Sequence, residues 1–222
     1  MDQDTLKRSA AQAAIDLIEG SLTKDSVVGI GTGSTADFFI DLLANHKHKF
    51  DAAVASSDAS QQRLESHGIR VLGTNAVQEI IVYVDGADEV DPNKALIKGG
   101  GGALTREKIV AASSERFVCI VDGSKQVSVL GAFPLPVEVI PMARGLVGRR
   151  LAGIGGEPHW REGFITDNGN HIIDVHGLRI DDPARLESYL NDTVGVVCNG
   201  VFAAQAADTV VVAKPSGIEI IE

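Results

Sequence analysis

One stretch of the chain, Ile80–Ala112, holds carboxylates, a lysine and a run of glycines at spacings that suit chemistry on an anionic substrate. It opens with a continuous apolar run, Ile80–Val84, of the kind found in a strand that is buried on both faces. Asp85 and Asp88 follow this run, so both carboxylates are predicted on the loop that leaves the strand. Carboxylates in that place can transfer protons, and they can equally cap the turn.

Lys98 and the four consecutive glycines after it, Gly99–Gly102, form the second part of this stretch. Glycine is favoured where the backbone must approach another group closely, and backbone N–H groups beside a helix N-terminus suit an anion. The predicted helix starts near Ala103 and carries Glu107 about one turn in. Glu107 either acts as a general base or complements the helix dipole. The combination favours a substrate site over a purely structural turn.

Strands that end in polar or glycine-rich loops recur along the first part of the chain. The loops are G-T-G-S-T at 31–35, S-S-D-A-S at 56–60, D-G-A-D at 85–88, K-G-G-G-G at 98–102 and D-G-S-K at 122–125. Most of these strands are followed by a helix, which predicts a parallel sheet with ligands bound at the carboxyl ends of its strands. We therefore expect all of these loops at one edge. The predicted fold class is α/β, with a Rossmann-like parallel-sheet domain and a smaller α+β subdomain.

The pattern changes after Lys125 to shorter units that are punctuated by prolines. Residues 163–175 carry a hairpin signal, two extended runs about a turn that contains Asn and Gly. A later β-rich run near the C-terminus is predicted to return to the first sheet. We expect a catalytic domain and an α+β subdomain with these boundaries: 1–129 plus 207–222, and 130–206.

Composition excludes several classes of protein. The net charge of −10 argues against a general binder of nucleic acid or of anionic membranes. The two cysteines, Cys119 and Cys198, fall in apolar runs and form no disulfide or zinc pattern, and no histidines have ligand spacing, so no metal site is expected. Because the N-terminus is polar and no apolar run reaches membrane-spanning length, we expect a soluble, cytoplasmic protein.

Several motifs occur together in an order that gives the chain a close resemblance to the type A ribose-5-phosphate isomerases. They are G-T-G-S-T, D-G-A-D-E, K-G-G-G-G-A-L-T-R-E-K, D-G-S-K, F-P-L-P-V-E-V-I-P-M-A-R and T-D-N-G-N. The resemblance spans nearly the whole chain. It implies interconversion of D-ribose 5-phosphate and D-ribulose 5-phosphate through an enediolate, in the non-oxidative pentose phosphate pathway and without a metal or cofactor. It also suggests a homodimer or a larger homo-oligomer.

The resemblance assigns roles to individual residues. Glu107 matches the general base. Asp85, Asp88 and Lys98 match the acid or charge-stabilising groups, and which aspartate assists opening of the sugar ring stays open. Substrate-binding positions are matched by Thr32, Gly33, Ser34, Thr35, Gly86, Ala87, Gly99, Gly100 and Gly101. Phosphate contacts are matched by Lys125 and Lys7, although the residue pattern alone would make Lys7 a solvated surface charge.

Two other classes of protein share parts of this pattern. A nucleotide-dependent dehydrogenase would carry the fingerprint G-x-G-x-x-G, and here the third glycine is missing after Gly31 and Gly33. A sugar-phosphate-sensing regulatory domain would carry a DNA-binding module, but only about two dozen residues precede the first predicted strand. The isomerase is therefore the preferred interpretation, with the sensing domain as its alternative.

Overall fold

The computed structural model describes residues 2–222, and the chain divides into two compact units. Unit 1 comprises the chain up to Gly86, Arg106–Lys125 and Ala207–Glu222, and unit 2 comprises Ala87–Thr105 and Gln126–Ala206. The units differ from the expected domains at residues 126–129 and at residues 87–105, and the latter form strands that pair inside unit 2. The domain boundaries expected from the sequence stay a prediction.

The described residues form α-helices and β-strands with the following bounds. The helices are α1 Gln3–Ile18, α2 Ser34–Leu43, α3 Asp58–Ser66, α4 Leu104–Ala112, α5 Arg144–Gly153 and α6 Pro183–Asn191. The first strands are β1 Val27–Ile30, β2 Ala52–Ala55, β3 Val82–Asp85, β4 Glu89–Val90, β5 Leu96–Ile97, β6 Phe117–Asp122 and β7 Leu135–Val139. The later strands are β8 Glu157–Trp160, β9 His171–His176, β10 Val196–Asn199, β11 Val201–Phe202, β12 Thr209–Lys214 and β13 Gly217–Ile221.

Unit 1 is built on one six-stranded sheet with the order β13-β12-β6-β3-β1-β2. All neighbours in it are parallel except β13, which runs antiparallel to β12. The central strands β3 and β6 are buried throughout, as their continuous apolar sequences predict. β2 lies on one side of β1, and the next strand of the sheet, β3, lies on the other side. The carboxyl ends of β1 and β3 therefore border the crevice in which such sheets bind ligands.

The first helix, α1, is capped at its N-terminus by Asp2. The Asp2 carboxylate accepts a hydrogen bond from the backbone N–H of Thr5 at 2.8 Å, and its pKa is lowered chiefly by that bond. The small and aliphatic side chains of α1 pack into the core of unit 1; they are Ala10, Ala11, Ala14, Ile15 and Ile18.

Unit 2 contains two antiparallel sheets, with the orders β10-β7-β9-β8 and β11-β5-β4. The expectation that the K-G-G-G-G loop leaves a strand of the parallel sheet is wrong, because β5 pairs with β4 and β11 instead. The expected hairpin over residues 163–175 is also wrong in its first arm, since β9 pairs with β8 and β7. Residues 163–170 form a loop instead. Three of their side chains donate hydrogen bonds to the buried Glu138, and the segment does not pair with β9 as a strand.

No helix within residues 2–222 combines the length and the apolar character needed to cross a lipid bilayer.

Candidate active site

Asp85 is the last residue of β3, and its side chain is fully buried at the carboxyl end of the parallel sheet. Its Oδ1 accepts hydrogen bonds from the backbone N–H groups of Gly86, at 2.7 Å, and Thr32, at 3.0 Å. Its Oδ2 accepts a short hydrogen bond from the hydroxyl of Tyr83. Two loops and a strand therefore fix the orientation of this carboxylate before any ligand arrives.

Two glycines of β1 and its loop make room for these groups. A Cβ at Gly31 would overlap the carboxylate of Asp85. A Cβ at Gly29 would lie 2.9 Å from Cγ1 of Val110 on α4 and 3.0 Å from the ring of Tyr83. Glycine at these positions is thus required by close approach, and it allows α4 to pack directly against the central strands.

Glu107 lies in the first turn of α4 and is 3% exposed. Burial raises the pKa of Tyr83 well above its usual value, and the negative charges of Asp85 and Glu107 raise it further. Both carboxylates are therefore close enough to Tyr83 to act on it electrostatically. We call Tyr83, Asp85 and Glu107 the carboxylate cluster. It places two buried acids at the ligand-binding edge of a parallel sheet, where strongly perturbed ionisable groups often mark function.

The loop Thr32–Thr35 joins β1 to α2 beside this cluster. Gly33 caps α2 with φ of 102°, a left-handed conformation that favours glycine, and Ser34 begins the helix. The Thr32 hydroxyl is 2.8 Å from the Ser56 hydroxyl. Thr35 lies next to Gly86, because a Cβ added to Gly86 would be 3.8 Å from the Cβ of Thr35. Gly33 and Ser34 are exposed, so the N-terminus of α2 is accessible, and its N–H groups are of the kind that suits an anion.

Lys125 ends a short 3₁₀ turn, Gly123–Lys125, that follows β6. Burial by itself would raise the pKa of the neighbouring Asp122, but hydrogen bonds from the hydroxyl and N–H of Ser124 outweigh it, so this pKa is lowered. The Gln3 side chain contacts Asp122 at 3.4 Å, and Lys7 lies one turn further along α1, 3.6 Å from Asp4. Both predicted phosphate-binding lysines therefore belong to unit 1 and lie on the side where β6 ends.

In unit 2, Lys98 follows β5 directly and is 2% exposed. Its backbone N–H donates to the carbonyl of Gly200 at 2.9 Å, and its Nζ lies 5.6 Å from the ring centre of Phe202. A Cβ at Gly200 would overlap the Lys98 carbonyl, so glycine is needed there for the chain to approach this closely. The strand pairing thus fixes the point from which the lysine side chain extends.

The run Gly99–Gly102, which we call the glycine turn, folds back on itself through a hydrogen bond from the N–H of Gly102 to the carbonyl of Gly99, at 2.8 Å. Gly99 and Gly102 have φ of 100° and 87°. The N–H of Gly100 donates to Oδ2 of Asp88 at 2.8 Å. Asp88 and Ala87 are partly exposed, so the predicted residues of unit 2 form one group around this turn.

Sequence reasoning missed two charged residues that bind the glycine turn or a residue shortly after it. Arg161 donates to the carbonyl of Gly100 at 3.1 Å. Glu138 is fully buried in β7 and accepts hydrogen bonds from three hydroxyl or amide side chains of residues 166–170 and from the hydroxyl of Thr105. The signal for Glu138 was an acid inside an apolar strand sequence, whereas the segment around Arg161 carries no recognisable motif.

Residues 2–222 contain no cluster of three or more His, Cys, Asp or Glu side chains that is suited to hold a metal ion.

Comparisons with known proteins agree on one family. A family model described as ribose 5-phosphate isomerase A (phosphoriboisomerase A) matches residues 52–217. A solved ribose 5 phosphate isomerase A from Neisseria gonorrhoeae is 47% identical, with a TM-score of 0.94 over 99% of this chain and 97% of that one. A D-ribose-5-phosphate isomerase in complex with phospho-erythronic acid is 38% identical, with a TM-score of 0.94 over 100% of both chains. A ribose 5-phosphate isomerase A from Methanocaldococcus jannaschii is 39% identical, with a TM-score of 0.90 over 98% of both.

Proposed function

Because the chain belongs to the ribose 5-phosphate isomerase A family, we propose that it interconverts D-ribose 5-phosphate and D-ribulose 5-phosphate. This aldose–ketose isomerisation is a step of the non-oxidative pentose phosphate pathway. The observation that carries the proposal is the carboxylate cluster, in which the buried Asp85 is hydrogen-bonded to Tyr83 and the buried Glu107 raises the pKa of the same tyrosine. Carboxylates are almost never fully buried unless they are paired or serve a function.

The reaction moves one proton between neighbouring carbons. In the open-chain aldose, Glu107 removes the proton from C2, and the electrons of that C–H bond form the C1–C2 double bond of an enediolate. The same carboxyl group then returns the proton to C1, while the hydroxyl proton on O2 is lost and O1 becomes a hydroxyl. One residue serves both steps because the enediolate stays bound between them. General-base catalysis of this kind contributes about 10²–10⁴ in rate.

The remaining charged residues stabilise the negative charge and handle the oxygen protons. Lys98 supplies a positive charge for the enediolate oxygens, a contribution of about 10²–10³ if it acts as one oxyanion donor does. Asp85 and Asp88 take the proton transfers that open the sugar ring. The sugar is proposed to bind through backbone groups of the glycine turn and of Thr32, Gly33, Ser34, Thr35, Gly86 and Ala87. No step of this mechanism uses a metal or a nucleotide.

The phosphate group is proposed to bind Lys125 and Lys7, together with Ser34 and Thr35 at the start of α2. Their positions in unit 1 support this assignment, since a helix N-terminus and ammonium groups are both suited to an anion.

The test is an assay of the purified protein with ribose 5-phosphate, in the presence of EDTA and without any nucleotide. We expect ketose 5-phosphate to form, and in D₂O we expect exchange of the carbon-bound proton with solvent. Protein that binds the sugar phosphate but neither isomerises it nor exchanges the proton would be a sensing domain instead. Turnover that stops in EDTA and returns with a divalent ion would contradict the mechanism.

We further propose a homodimer or larger homo-oligomer in the cytoplasm. Exposed apolar side chains support the assembly: Met142 is 93% and Val194 is 72% exposed, and Ile140 is bonded through its N–H to Gly195 beside Val194. Phosphorylated sugars are charged and cross membranes poorly, which supports the same compartment for enzyme and substrate. Light scattering of the purified protein tests the assembly, and a monomeric mass would refute it.

A further inference from the structure

The segment that follows β8 contacts the glycine turn through two side chains. Arg161 donates from Nη1 to the carbonyl of Gly100 at 3.1 Å, and its Nη2 lies 3.5 Å from the carbonyl of Gly99. Phe164 lies against Gly102, where any Cβ would overlap its ring. The beginning and the end of the glycine turn are therefore both held by this short segment of unit 2.

Arg161 is itself held in place by Asp174 on β9. Its Nε donates to Oδ2 at 2.8 Å and its Nη2 to Oδ1 at 2.5 Å, a bidentate pair. The two side chains are only 20% and 19% exposed, and the guanidinium lies 5.3 Å from the ring centre of Phe164. A planar guanidinium in such a pair has a fixed orientation, which a lysine ammonium cannot reproduce.

The direction of these carbonyls determines where the neighbouring N–H groups point. In a trans peptide the C=O of one residue and the N–H of the next are directed to opposite sides. The Gly99 carbonyl accepts from the Gly102 N–H at 2.8 Å and lies 3.5 Å from Nη2 of Arg161, and the Gly100 N–H, on the opposite side of the same peptide, reaches Asp88. The Gly100 carbonyl also faces Arg161, so the N–H of the exposed Gly101 must point away as well.

Consecutive glycines have little preference of their own for one backbone conformation. We propose that Arg161, fixed by Asp174, is a positioning residue that sets the peptide orientation of the glycine turn, so that the Gly101 N–H is presented to an oxygen of the substrate or of the enediolate. The inference rests on the proposed function for the identity of that ligand. The orientation of the turn itself does not depend on it.

The chain offers a matched control on the surface of the same unit. Arg179 forms an ion pair with Asp181 at 3.0 Å, with side chains that are 72% and 65% exposed. No glycine-turn group is among its bonds, so Arg179→Lys removes the same fork from an Arg–Asp pair without touching the turn.

The experiment compares Arg161→Lys, Asp174→Asn and Arg179→Lys with the unmodified protein. Each is measured for kcat and KM with ribose 5-phosphate, for affinity toward phospho-erythronic acid, for melting temperature, and for hydrogen–deuterium exchange of a peptide that contains residues 98–103. For Arg161→Lys we expect faster exchange in that peptide and a loss of about 10–100-fold in inhibitor affinity, the size of a charged hydrogen bond. Asp174→Asn should show the same direction with a smaller change, and Arg179→Lys none.

A purely structural role would lower the melting temperature while leaving inhibitor affinity and exchange of the turn unchanged in the folded protein, and that result would overturn the proposal. So would equal losses in Arg161→Lys and Arg179→Lys. If Arg161→Lys does not fold, Asp174→Asn decides: unchanged affinity and exchange refute the role. An unmodified protein with no isomerase activity would refute the proposed function alone, because exchange of the glycine turn still reports on Arg161.

Discussion

In the carboxylate cluster of unit 1, a parallel sheet holds the backbone and the side chains are the proposed reactive groups. In the glycine turn of unit 2, the backbone is the proposed ligand-binding part, and side chains from distant parts of the sequence hold it. Asp85 is oriented by the N–H groups of Gly86 and Thr32, which are supplied by loops that leave adjacent strands. The turn is oriented by Asp88 and Arg161.

This difference indicates what a substitution should do in each region. A side chain of the carboxylate cluster can be replaced by an isostere while the sheet keeps its geometry, so the loss falls on catalysis. A change in the glycine turn alters backbone conformation, so the loss falls first on folding or on substrate affinity. The two regions should therefore separate in experiments that measure stability and kcat on the same variants.

The largest effect is expected from Glu107→Gln, which keeps the size of the side chain but removes its ability to accept a proton. We expect kcat to fall by about 10²–10⁴ with KM within a few-fold of the original, since the loss is confined to the transition state. Exchange of the C2 proton with D₂O should fall in parallel. The measurement is steady-state kinetics together with NMR of the substrate in D₂O.

The control is Glu65→Gln on the exposed surface of α3, which should leave kcat unchanged. Near-normal turnover in Glu107→Gln, combined with its loss in Asp85→Asn, would move the base to the aspartate loop. It would also show that the cluster does not divide its roles as proposed.

Asp85, Glu107 and the parallel sheet were predictable from the sequence because local patterns determine them, whereas Tyr83, the third member of the carboxylate cluster, was not predicted. β1 and β2 coincide with apolar runs of the sequence, and a buried parallel strand must place the residues after its last apolar position at the carboxyl edge. Asp85 is such a residue. The need for glycine at position 29 was not predictable, because it arises from Val110 of α4, which is far away in the sequence.

The surroundings of the glycine turn were predictable only in part. Lys98 and the glycines were recognised from their types, but β5 was assigned to the wrong kind of sheet because two-residue strands carry too little periodicity. Arg161 contacts residues that lie 61 and 62 positions earlier, and no local pattern reports contacts of that range. Glu138 was visible as an acid between Val137 and Val139, although its donors were not.

A second prediction compares glycines in the two regions. Gly102→Ala places a methyl group at φ of 87° and into the ring of Phe164, whereas Gly33→Ala places one at φ of 102° with no atom within 4 Å. Backbone strain costs each variant about 1–3 kcal/mol, and the overlap adds about 1–3 kcal/mol for Gly102→Ala. Denaturant unfolding of both proteins measures the difference. Equal free energies of unfolding would mean that Phe164 moves aside and does not hold the turn.

A third prediction concerns the proposed phosphate-binding residues of unit 1. Lys125→Ala should raise KM for ribose 5-phosphate by about 10–100-fold, the size of one charge-assisted hydrogen bond, with kcat little changed. The penalty should nearly vanish for unphosphorylated ribose, because that sugar lacks the group that the ammonium binds. Lys24→Ala, on an exposed turn before β1, is the control. An equal loss on both sugars would remove Lys125 from the phosphate site.

The smallest effect is a pH dependence that belongs to the carboxylate cluster alone. Burial and the charges of Asp85 and Glu107 raise the pKa of Tyr83 in the folded state above about 10, the value expected in the unfolded chain. Below the unfolded pKa both states keep the proton; as the pH rises between the two values, only the unfolded state loses it. The free energy of unfolding should therefore fall by about 1.4 kcal/mol per pH unit in that window. Tyr83→Phe should remove this slope, Tyr189→Phe on the exposed face of α6 should keep it, and parallel alkaline curves for all three proteins would contradict the electrostatic coupling within the cluster.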